Sequence, residues 1–304
     1  MKKILAFALA LAMILTCSFA LADRLDDIKA AGKLTVATSP DWPPYEYIDD
    51  DGNIVGTDIL MCQWMAEQLG VELEIQPMAF DACLAAVGQG DVDMMVAGLT
   101  YDENRLARME LTGIYWNEGD QGVLVKKGAG ASYNSAESFA GKTVAAQNGT
   151  NQQIMAEEQL PESTTVELVT KIPDGVNMVK TGRIDGLVVP KTVYDSILAE
   201  NDDLEVADFA FDFQGGNYIA SVKGEDAFTA KIQEMIDTIN GAKSSAIIYS
   251  IAETAKANDL KPYEYFEYLL TEIPKHMDDT DRSFLNDLVP WSEKLPENIR
   301  KPKN

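Results

Sequence analysis

Short apolar runs alternate with amphipathic stretches along most of the chain. Lys33–Thr38 and residues 92–99 are strongly apolar runs next to Gly, Pro or Asp, which is typical of buried strands. Between them, the apolar positions of residues 58–70 recur every three to four residues, as on one face of a helix. This alternation predicts an α/β fold built on parallel sheets with helices on both faces.

The pattern occurs in two series. The first covers residues 33–99, and the second begins near residue 123. Further strands are predicted at 142–147, 165–169, 184–189 and 218–222, and further helices at 151–159, 174–181 and 225–239. Two such series joined by extended segments predict two lobes, with a ligand cleft at the strand carboxyl ends between them.

The first 22 residues have the pattern of a secretory signal peptide. Lys2 and Lys3 precede an apolar run over residues 4–15, and small residues stand at Ala20 and Ala22. The run is short for a membrane span, so we predict cleavage after Ala22 and an exported protein. Cys17 leaves open a lipidated, membrane-anchored form.

The charge is strongly acidic and unevenly placed. The formal net charge is −24, from 25 Lys and Arg against 49 Asp and Glu, and residues 23–240 carry all of the excess. Such a body repels phosphate backbones, so we expect no nucleic-acid partner. One His and three Cys are too few ligands for a soft-metal site, and we predict no metal or cofactor. Cys62 and Cys83 fall in predicted helices, where core packing is a commoner role than a disulfide.

Six motifs stand in a characteristic order. They are WPPYEY at 42–47, VGTDI at 55–59, FD at 80–81 leading to GDVD at 90–93, AGLT at 97–100 with Arg105, AQNGT at 146–150 and GRID at 182–185. Through them the chain resembles the polar amino-acid class of extracellular solute-binding proteins, the receptors of ABC importers. The resemblance implies a two-lobed periplasmic-binding-protein fold without catalytic residues. It also implies that the protein is a monomer that binds a small-molecule amino acid and docks on a membrane permease. It also implies lobe 1 at 23–122 and 216–240, lobe 2 at 123–215, and hinges near 122–125 and 216–222.

The motif residues suit amino-acid capture. The resemblance assigns ligand contacts to Trp42, Phe80, Ala97, Gly98, Thr100, Arg105, Gly149, Thr150 and Asn151. Arg105 would grip the α-carboxylate through paired hydrogen bonds, and the helix that opens at Asn151 would attract the same anion. Trp42 and Phe80 would enclose the ligand side chain, although core packing is an alternative role, more so for Phe80.

One position departs from the family pattern. Pro190 stands where the family has an acidic residue for the ligand ammonium, and proline offers neither a carboxylate nor an N–H. Glu118 and Asp120 are candidate substitutes, although solvated hinge charge is the simpler interpretation. A ligand without a free α-amino group, or a weakened receptor, are the other interpretations.

Residues 241–304 have a different character. Prolines become frequent, and residues 241–258, 262–270 and 288–296 resemble the C-terminal segment of the sixty-six class of insertion-sequence transposases. That family's acidic catalytic residues lie upstream of this segment and are absent here. We predict a short α-helical appendage, with helices at 244–258 and 262–270 packed as a hairpin and an exposed His276. An insertion element that landed near the end of a receptor gene would explain the change.

Two alternatives to a receptor remain. A cyclohexadienyl dehydratase-like enzyme, acting on prephenate or arogenate, shares the implied fold, but the cleft motifs supply no obvious acid or base for it. A non-functional insertion-element fusion is the other.

Overall fold

A computed structural model of the chain describes residues 23–117, 119–276, 281 and 283–301. The predicted signal peptide, with Cys17, and Glu118 lie outside these residues. The chain divides into two compact units, residues 1–235 and 236–304.

The elements are numbered in chain order. The strands are β1 (Lys33–Thr38), β2 (Asp41–Trp42), β3 (Glu46–Ile48), β4 (Ile54–Val55), β5 (Glu72–Pro77), β6 (Met94–Met95), β7 (Met109–Leu111), β8 (Gln121–Lys126), β9 (Thr143–Gln147), β10 (Thr165–Val169), β11 (Gly186–Pro190), β12 (Leu204–Phe211) and β13 (Ala220–Val222). The helices are α1 (Arg24–Ala31), α2 (Thr57–Leu69), α3 (Phe80–Gln89), α4 (Asn151–Gln159), α5 (Ile172–Thr181), α6 (Lys191–Glu200), α7 (Asp226–Ala257), α8 (Pro262–Glu272) and α9 (Leu285–Leu288). Single 3₁₀ turns cover Arg105–Ala107, Gly130–Ser132, Ala136–Phe139, Ile273–His276 and Glu297–Ile299.

The first lobe is built on the sheet β5-β1-β6-β13-β7. β1, β5 and β6 are parallel, and β13 and β7 run antiparallel to their neighbours. The predicted α/β fold is confirmed, but this sheet is mixed rather than parallel, because the chain re-enters it through β13 after leaving the second lobe. A separate antiparallel sheet, β2-β3-β4, carries the segment that follows β1.

The second lobe is built on the sheet β10-β9-β11-β8-β12, in which β8 runs antiparallel to β11 and β12. Its core contains fully buried residues of β8, β9 and β11 such as Leu124, Val144 and Leu187. The helix packing is close: a Cβ on Gly175 of α5 would come within 2.6 Å of Leu187 Cδ1. The sequence pattern did not predict α6 or β12.

The crossing segments between the lobes do not include residues 122–125. Those residues lie inside β8 and are buried there, so the hinge predicted at 122–125 is placed wrongly. The chain crosses instead at residues 112–117 and 212–219. Asn217 joins the two segments, because its N–H donates to the Trp116 carbonyl at 2.7 Å and its carbonyl accepts from the Tyr115 N–H at 2.9 Å.

The C-terminal unit has a hydrophobic core of its own. Ala255, Leu260, Tyr265, Leu295 and Ile299 are buried together in it. The Tyr265 hydroxyl donates to the Leu288 carbonyl at 2.6 Å, and Leu260 pairs with Arg300 in a β-bridge. The predicted helix over residues 244–258 is the end of the continuous helix α7 rather than a separate helix.

His276 is not simply exposed, as the sequence had predicted. Its ring stacks on Phe284 with 4.3 Å between centroids, and its Nε2 lies 3.7 Å from a Glu272 carboxylate oxygen.

Cys62 and Cys83, in the predicted helices, are free and buried, as expected for core residues.

Asp93, in the GDVD motif, holds the start of the first lobe together. Its carboxylate is buried and accepts from the Thr35 N–H and hydroxyl, both at 2.7 Å, and from Arg24 Nε at 2.6 Å. We expect Asp93→Asn to lower the free energy of unfolding by about 2–3 kcal/mol, because the Arg24 charge and the Thr35 groups lose their ionised partner. Urea unfolding measures this. The exposed Asp91→Asn is the control, and equal losses in the two variants would contradict the assignment.

Candidate functional site

A pocket between the two lobes brings most of the predicted site residues together. It is lined by Ser39, Asp41, Trp42, Glu46, Phe80, Ala97, Gly98, Thr100, Gln147, Thr150, Asn151 and Gln152. Seven of the nine residues expected to contact a ligand are in this set. The remaining two, Arg105 and Gly149, are hydrogen-bonded to each other beside it.

Arg105 lies where the two lobes meet. The 3₁₀ turn after Thr100 positions it, and its Nη1 donates to the Thr100 carbonyl at 2.5 Å while its Nη2 donates to the Gly149 carbonyl at 2.9 Å. Its Cζ stands 5.9 Å from the centre of the Phe80 ring. Burial lowers the pKa of the Arg105 guanidinium, and the Asp102 charge opposes this shift. A buried cation held by carbonyl dipoles favours an anionic ligand.

The first-lobe side of the pocket offers a hydroxyl and a close backbone. The Thr100 hydroxyl is buried and has no hydrogen-bond partner among the described residues, so it is available to a ligand oxygen. Gly98 has φ +59°, a left-handed conformation that a residue with a Cβ adopts only at a cost. The backbone therefore lines the pocket at this point.

The second-lobe side of the pocket is the start of α4. Thr150 is its N-cap, with extended backbone angles and a side chain that accepts from the Gln153 N–H. Gly149, immediately before it, has φ +80°. A helix start of this kind presents N–H groups and a positive dipole to an anion.

Trp42 and Phe80 line the pocket and also pack into hydrophobic cores. Phe80 belongs to the core of the first lobe. Trp42, although carried by the small β2-β3-β4 sheet, is buried in a cluster of second-lobe residues that includes Ile172 and Val193. The expectation that Trp42 is less a core residue than Phe80 was wrong, because lobe closure buries it against the second lobe.

Asp41 lines the pocket and was not predicted. Its carboxylate accepts from the Ser39 hydroxyl at 2.8 Å, from Gln147 Nε2 at 3.0 Å and from the Ile172 N–H, at the start of α5, at 2.8 Å. Burial raises the pKa of Asp41, and the bonds from Ile172, Ser39 and Gln147 oppose the shift. A first-lobe carboxylate thereby binds the N-terminus of a second-lobe helix.

Glu46 is the second pocket acid that the sequence analysis missed, although it lies within the WPPYEY motif. It is fully buried on β3, and Asp58, near the start of α2, is buried as well. The Tyr115 hydroxyl donates to Asp58 Oδ2 at 2.5 Å. Burial raises the pKa of Asp58 to about 6, against the opposing hydrogen bonds from Tyr115 and Glu46. The sequence signal that could have found Glu46 is its position between two aromatic residues, Tyr45 and Tyr47, in a short segment with strand-like alternation.

Of the two candidate ammonium partners, the structure describes only Asp120, which lies outside the pocket lining. Asp120 is exposed, is not one of the lining residues, and its carbonyl accepts from the Lys191 N–H at 2.7 Å. Glu118 lies outside the described residues. Pro190 ends β11 as a buried residue that pairs with Gln121, and it is not one of the lining residues either.

Further hydrogen bonds join the lobes away from the pocket lining. The Tyr45 hydroxyl donates to Thr192 Oγ1 at 2.8 Å, and Asn148 Nδ2 donates to Asp81 Oδ2 at 2.8 Å. With the Arg105 and Asp41 contacts, they hold the lobes closed over the pocket.

Comparison with known families identifies both parts of the chain. Residues 34–250 match the model of the bacterial extracellular solute-binding proteins, family 3, and the chain belongs to that family. Residues 250–291 match the IS66 C-terminal element. A receptor body is therefore joined to a segment of insertion-sequence type.

Related proteins bind amino acids. The chain is 30% identical over 215 residues to the arginine-binding extracellular protein ArtP of Bacillus subtilis, a match covering 69% of this chain and 79% of ArtP. It is 28% identical over 220 residues to the L-cystine-binding protein TcyJ of Escherichia coli, covering 72% of this chain and 82% of TcyJ.

Solved structures show the same architecture. AbpA, an amino acid ABC transporter substrate-binding protein from Streptococcus pneumoniae bound to L-arginine, matches 72% of this chain and 93% of its own at 31% identity, with a TM-score of 0.69. The arginine-bound ArgBP of T. maritima, in its Gly52Ala form, matches 71% and 99% at 29% identity, with a TM-score of 0.67.

Fold, family and pocket define a substrate-binding receptor of an ABC-type amino-acid importer, acting outside the cytoplasm. Its relatives are binding proteins rather than enzymes, which decides against the dehydratase alternative. Within the described residues, no helix is long and apolar enough to cross a membrane. The same residues contain no group of three or more His, Cys, Asp and Glu that could hold a metal ion.

If these contacts hold the receptor closed, a residue outside the pocket should affect binding. We expect Tyr45→Phe, which removes only the hydroxyl bonded to Thr192, to weaken amino-acid binding by about 2- to 10-fold, the usual worth of one hydrogen bond. Isothermal titration calorimetry measures the affinity. Tyr47→Phe, two residues further along the chain, is the matched control. Identical affinities for both variants and the wild type would show that this contact does not support closure.

Proposed function

We propose that this receptor captures a free amino acid with a positively charged side chain. The observation that carries the proposal is the pair of acidic side chains, Asp41 and Glu46, in the same pocket as the aromatic and carboxylate-binding residues. Carboxylates in a buried pocket favour a cation over a neutral group of the same size. The arginine named for ArtP and bound in AbpA supports this choice.

The α-carboxylate is held between the lobes. Arg105 uses two donors on the Thr100 and Gly149 carbonyls, and its guanidinium has further N–H groups for a ligand oxygen. Thr100 contributes its hydroxyl beside the backbone of Ala97 and Gly98. The start of α4, at Thr150 and Asn151, contributes N–H groups from the second lobe.

The side chain of the ligand lies between the aromatic and acidic residues. The faces of Trp42 and Phe80 favour a guanidinium or ammonium group through cation–π attraction, typically about 0.5–2 kcal/mol. Asp41 and Glu46 supply the opposite charge. Gln147 and Gln152 add amide groups to the same lining.

Binding and closure are one event in this mechanism. A ligand carboxylate brings together Arg105 of the first lobe and the α4 start of the second, while the crossing segments at 112–117 and 212–219 act as the hinge. The closed receptor then docks on a membrane permease.

We propose that it does so as a monomer. Residues 1–22 direct its export, with lipidation at Cys17 as the alternative that would anchor it to the membrane. Nucleic acid is not a partner.

The proposal is tested by thermal unfolding of the protein against a panel of amino acids. We expect L-arginine, L-lysine or L-ornithine to raise the melting temperature, because a ligand at about 1,000 times its Kd adds roughly 4 kcal/mol. Arg105→Ala should abolish the shift, since loss of a buried charge partner costs about 2–5 kcal/mol, or roughly 30-fold or more in Kd. The exposed Arg108→Ala is the control. A panel in which only acidic or apolar amino acids stabilise the protein would refute the proposed ligand class.

Pro190 gives a second test. A buried ligand ammonium without an ionised partner at this position binds weakly, so we expect Pro190→Asp to tighten L-arginine binding by about tenfold or more. Pro190→Asn, which lacks the charge, is the matched control in the same titration. If the two variants bind equally, the ammonium already has its partner in another part of the pocket.

A further inference from the structure

Two glutamine side chains form a buried, hydrogen-bonded pair at the wall of the ligand pocket. Gln152, in the first turn of α4, lines the pocket and is 3% exposed. Gln121, at the start of β8, is fully buried and is not one of the lining residues. Gln152 Nε2 donates to Gln121 Oε1 at 2.9 Å. This bond fixes which end of the Gln152 amide remains for a ligand.

Each member of the pair keeps one polar atom that the described part of the protein does not satisfy. Gln152 Oε1 accepts no hydrogen bond from the described residues, and Gln121 Nε2 donates none to them although it is shielded from water. Unsatisfied polar atoms are rare in buried positions and call for a partner such as a ligand. Because Gln152 is the member that lines the pocket, its amide is the one within reach of a ligand.

The position of Gln152 suits the α-substituent of an amino acid. In the proposed function the start of α4, at Thr150 and Asn151, binds the α-carboxylate, and Gln152 is the next residue of that helix. The α-amino group stands on the carbon that carries the carboxylate, so its partner has to lie beside the carboxylate site. The Asp41 carboxylate, by comparison, already accepts hydrogen bonds from three protein groups.

We infer that the Gln152 amide binds the α-substituent of the ligand, with Gln121 as its positioning residue, and that the receptor therefore accepts α-hydroxy acids as well as α-amino acids. The inference deepens the proposed function and rests on it for the position of the α-carboxylate. With an amino acid, Gln152 Oε1 accepts a hydrogen bond from the ammonium group. The amide is uncharged, and the positive end of the α4 dipole disfavours a cation, so the ammonium gains little over a hydroxyl group.

The neighbouring strand adds no charge to the pair. Gln121 is paired with Pro190 of β11 in the sheet register, and directly opposed residues carry their side chains on the same face of a sheet. Proline has neither a carboxylate nor an N–H to offer a ligand. Pro190 therefore leaves the choice between an ammonium and a hydroxyl group to the amides.

The pair also serves a ligand that needs a donor. If both amides turn over about their last side-chain bonds, Gln121 Nε2 donates to Gln152 Oε1, and Gln152 Nε2 is left for the pocket. The pair keeps one hydrogen bond, and Gln121 Nε2 gains the acceptor that it lacks. A hydroxyl group donates to an amide oxygen and accepts from an amide nitrogen, so both arrangements bind it.

The affinities of two matched ligands test the inference. L-Arginine and its α-hydroxy analogue of the same chirality share the carboxylate and the guanidinium and differ only in the α-substituent. We expect their Kd values, from calorimetric titration of the full-length chain, to lie within about tenfold of each other, because both make one hydrogen bond to a neutral amide. A larger preference for L-arginine would overturn the inference.

Gln152→Glu keeps the shape of the side chain and adds a charge. The new carboxylate accepts from Gln121 Nε2 and from the ligand ammonium, so we expect the preference for L-arginine over its hydroxy analogue to rise by about tenfold or more. Gln153→Glu adds the same charge one residue further along α4, outside the pocket lining, and should leave the preference unchanged. Equal preferences in Gln152→Glu and the wild type would show that Gln152 does not bind the α-substituent.

Gln121 is tested by loss and rescue. Gln121→Leu removes the acceptor of Gln152 Nε2, and we expect both ligands to bind about 2- to 10-fold more weakly, the usual worth of one hydrogen bond. Gln121→Glu restores the acceptor and should restore L-arginine binding. Unchanged affinities in Gln121→Leu, or no rescue by Gln121→Glu, would show that Gln121 does not position Gln152.

The failure of this inference is separable from that of the proposed function. If the panel of amino acids selects one that is not cationic, the proposed ligand class fails, and the same comparison is made between that amino acid and its α-hydroxy analogue. If L-arginine binds but its preference does not respond to Gln152→Glu, the ligand class stands and the inference is overturned. A protein that binds neither α-amino nor α-hydroxy acids overturns both.

Discussion

The buried guanidinium of Arg105 is the interaction on which the site depends. It takes one carbonyl from each lobe, Thr100 from the first and Gly149 from the second, at a point where both lobes exclude water. Carbonyl dipoles compensate only part of the cost of burying a full charge. In the proposed mechanism, an anionic ligand group supplies the rest and meets the start of α4 on its other side, so that binding and closure reinforce each other.

The acidic side chains of the pocket are concentrated in one short segment of the chain. Between β1 and α2 the chain places Asp41, Trp42 and Glu46 on a small sheet that packs into both lobes. This segment provides the acidic groups and one of the aromatic faces, and through Asp41 and Tyr45 it also bonds to the second lobe. In the proposed function, ligand selection and lobe closure therefore share residues. The excess negative charge of the body adds a long-range attraction for cations, which salt screens.

The junction with the insertion-sequence segment lies within a single helix. The family match ends at residue 250, inside α7, and the second compact unit begins at residue 236. A helix continues wherever the local residues favour it, whatever their origin, and Gly241 alone does not interrupt it. The added segment closes its own core around Tyr265 and Leu260.

The amino-acid sequence by itself determined the elements with strong local patterns. β1, β10 and α4 have the predicted bounds and β9 begins one residue later than predicted, since each is a compact apolar run or an amphipathic stretch with clear ends. The motifs also brought seven lining residues to one pocket, because they follow strand ends or open a helix, and those positions meet in a sheet of this kind.

Only the tertiary structure decided the rest. The antiparallel strands, the position of the hinge and the burial of Trp42 depend on how the chain crosses between lobes, which no local pattern records. Asp41 and Glu46 look in the sequence like two more acids in an acidic chain. Their importance comes from their place in the folded chain. Asp41 accepts from the Ile172 N–H of the second lobe, Glu46 is fully buried in the pocket lining, and the removal of water there strengthens charge interactions.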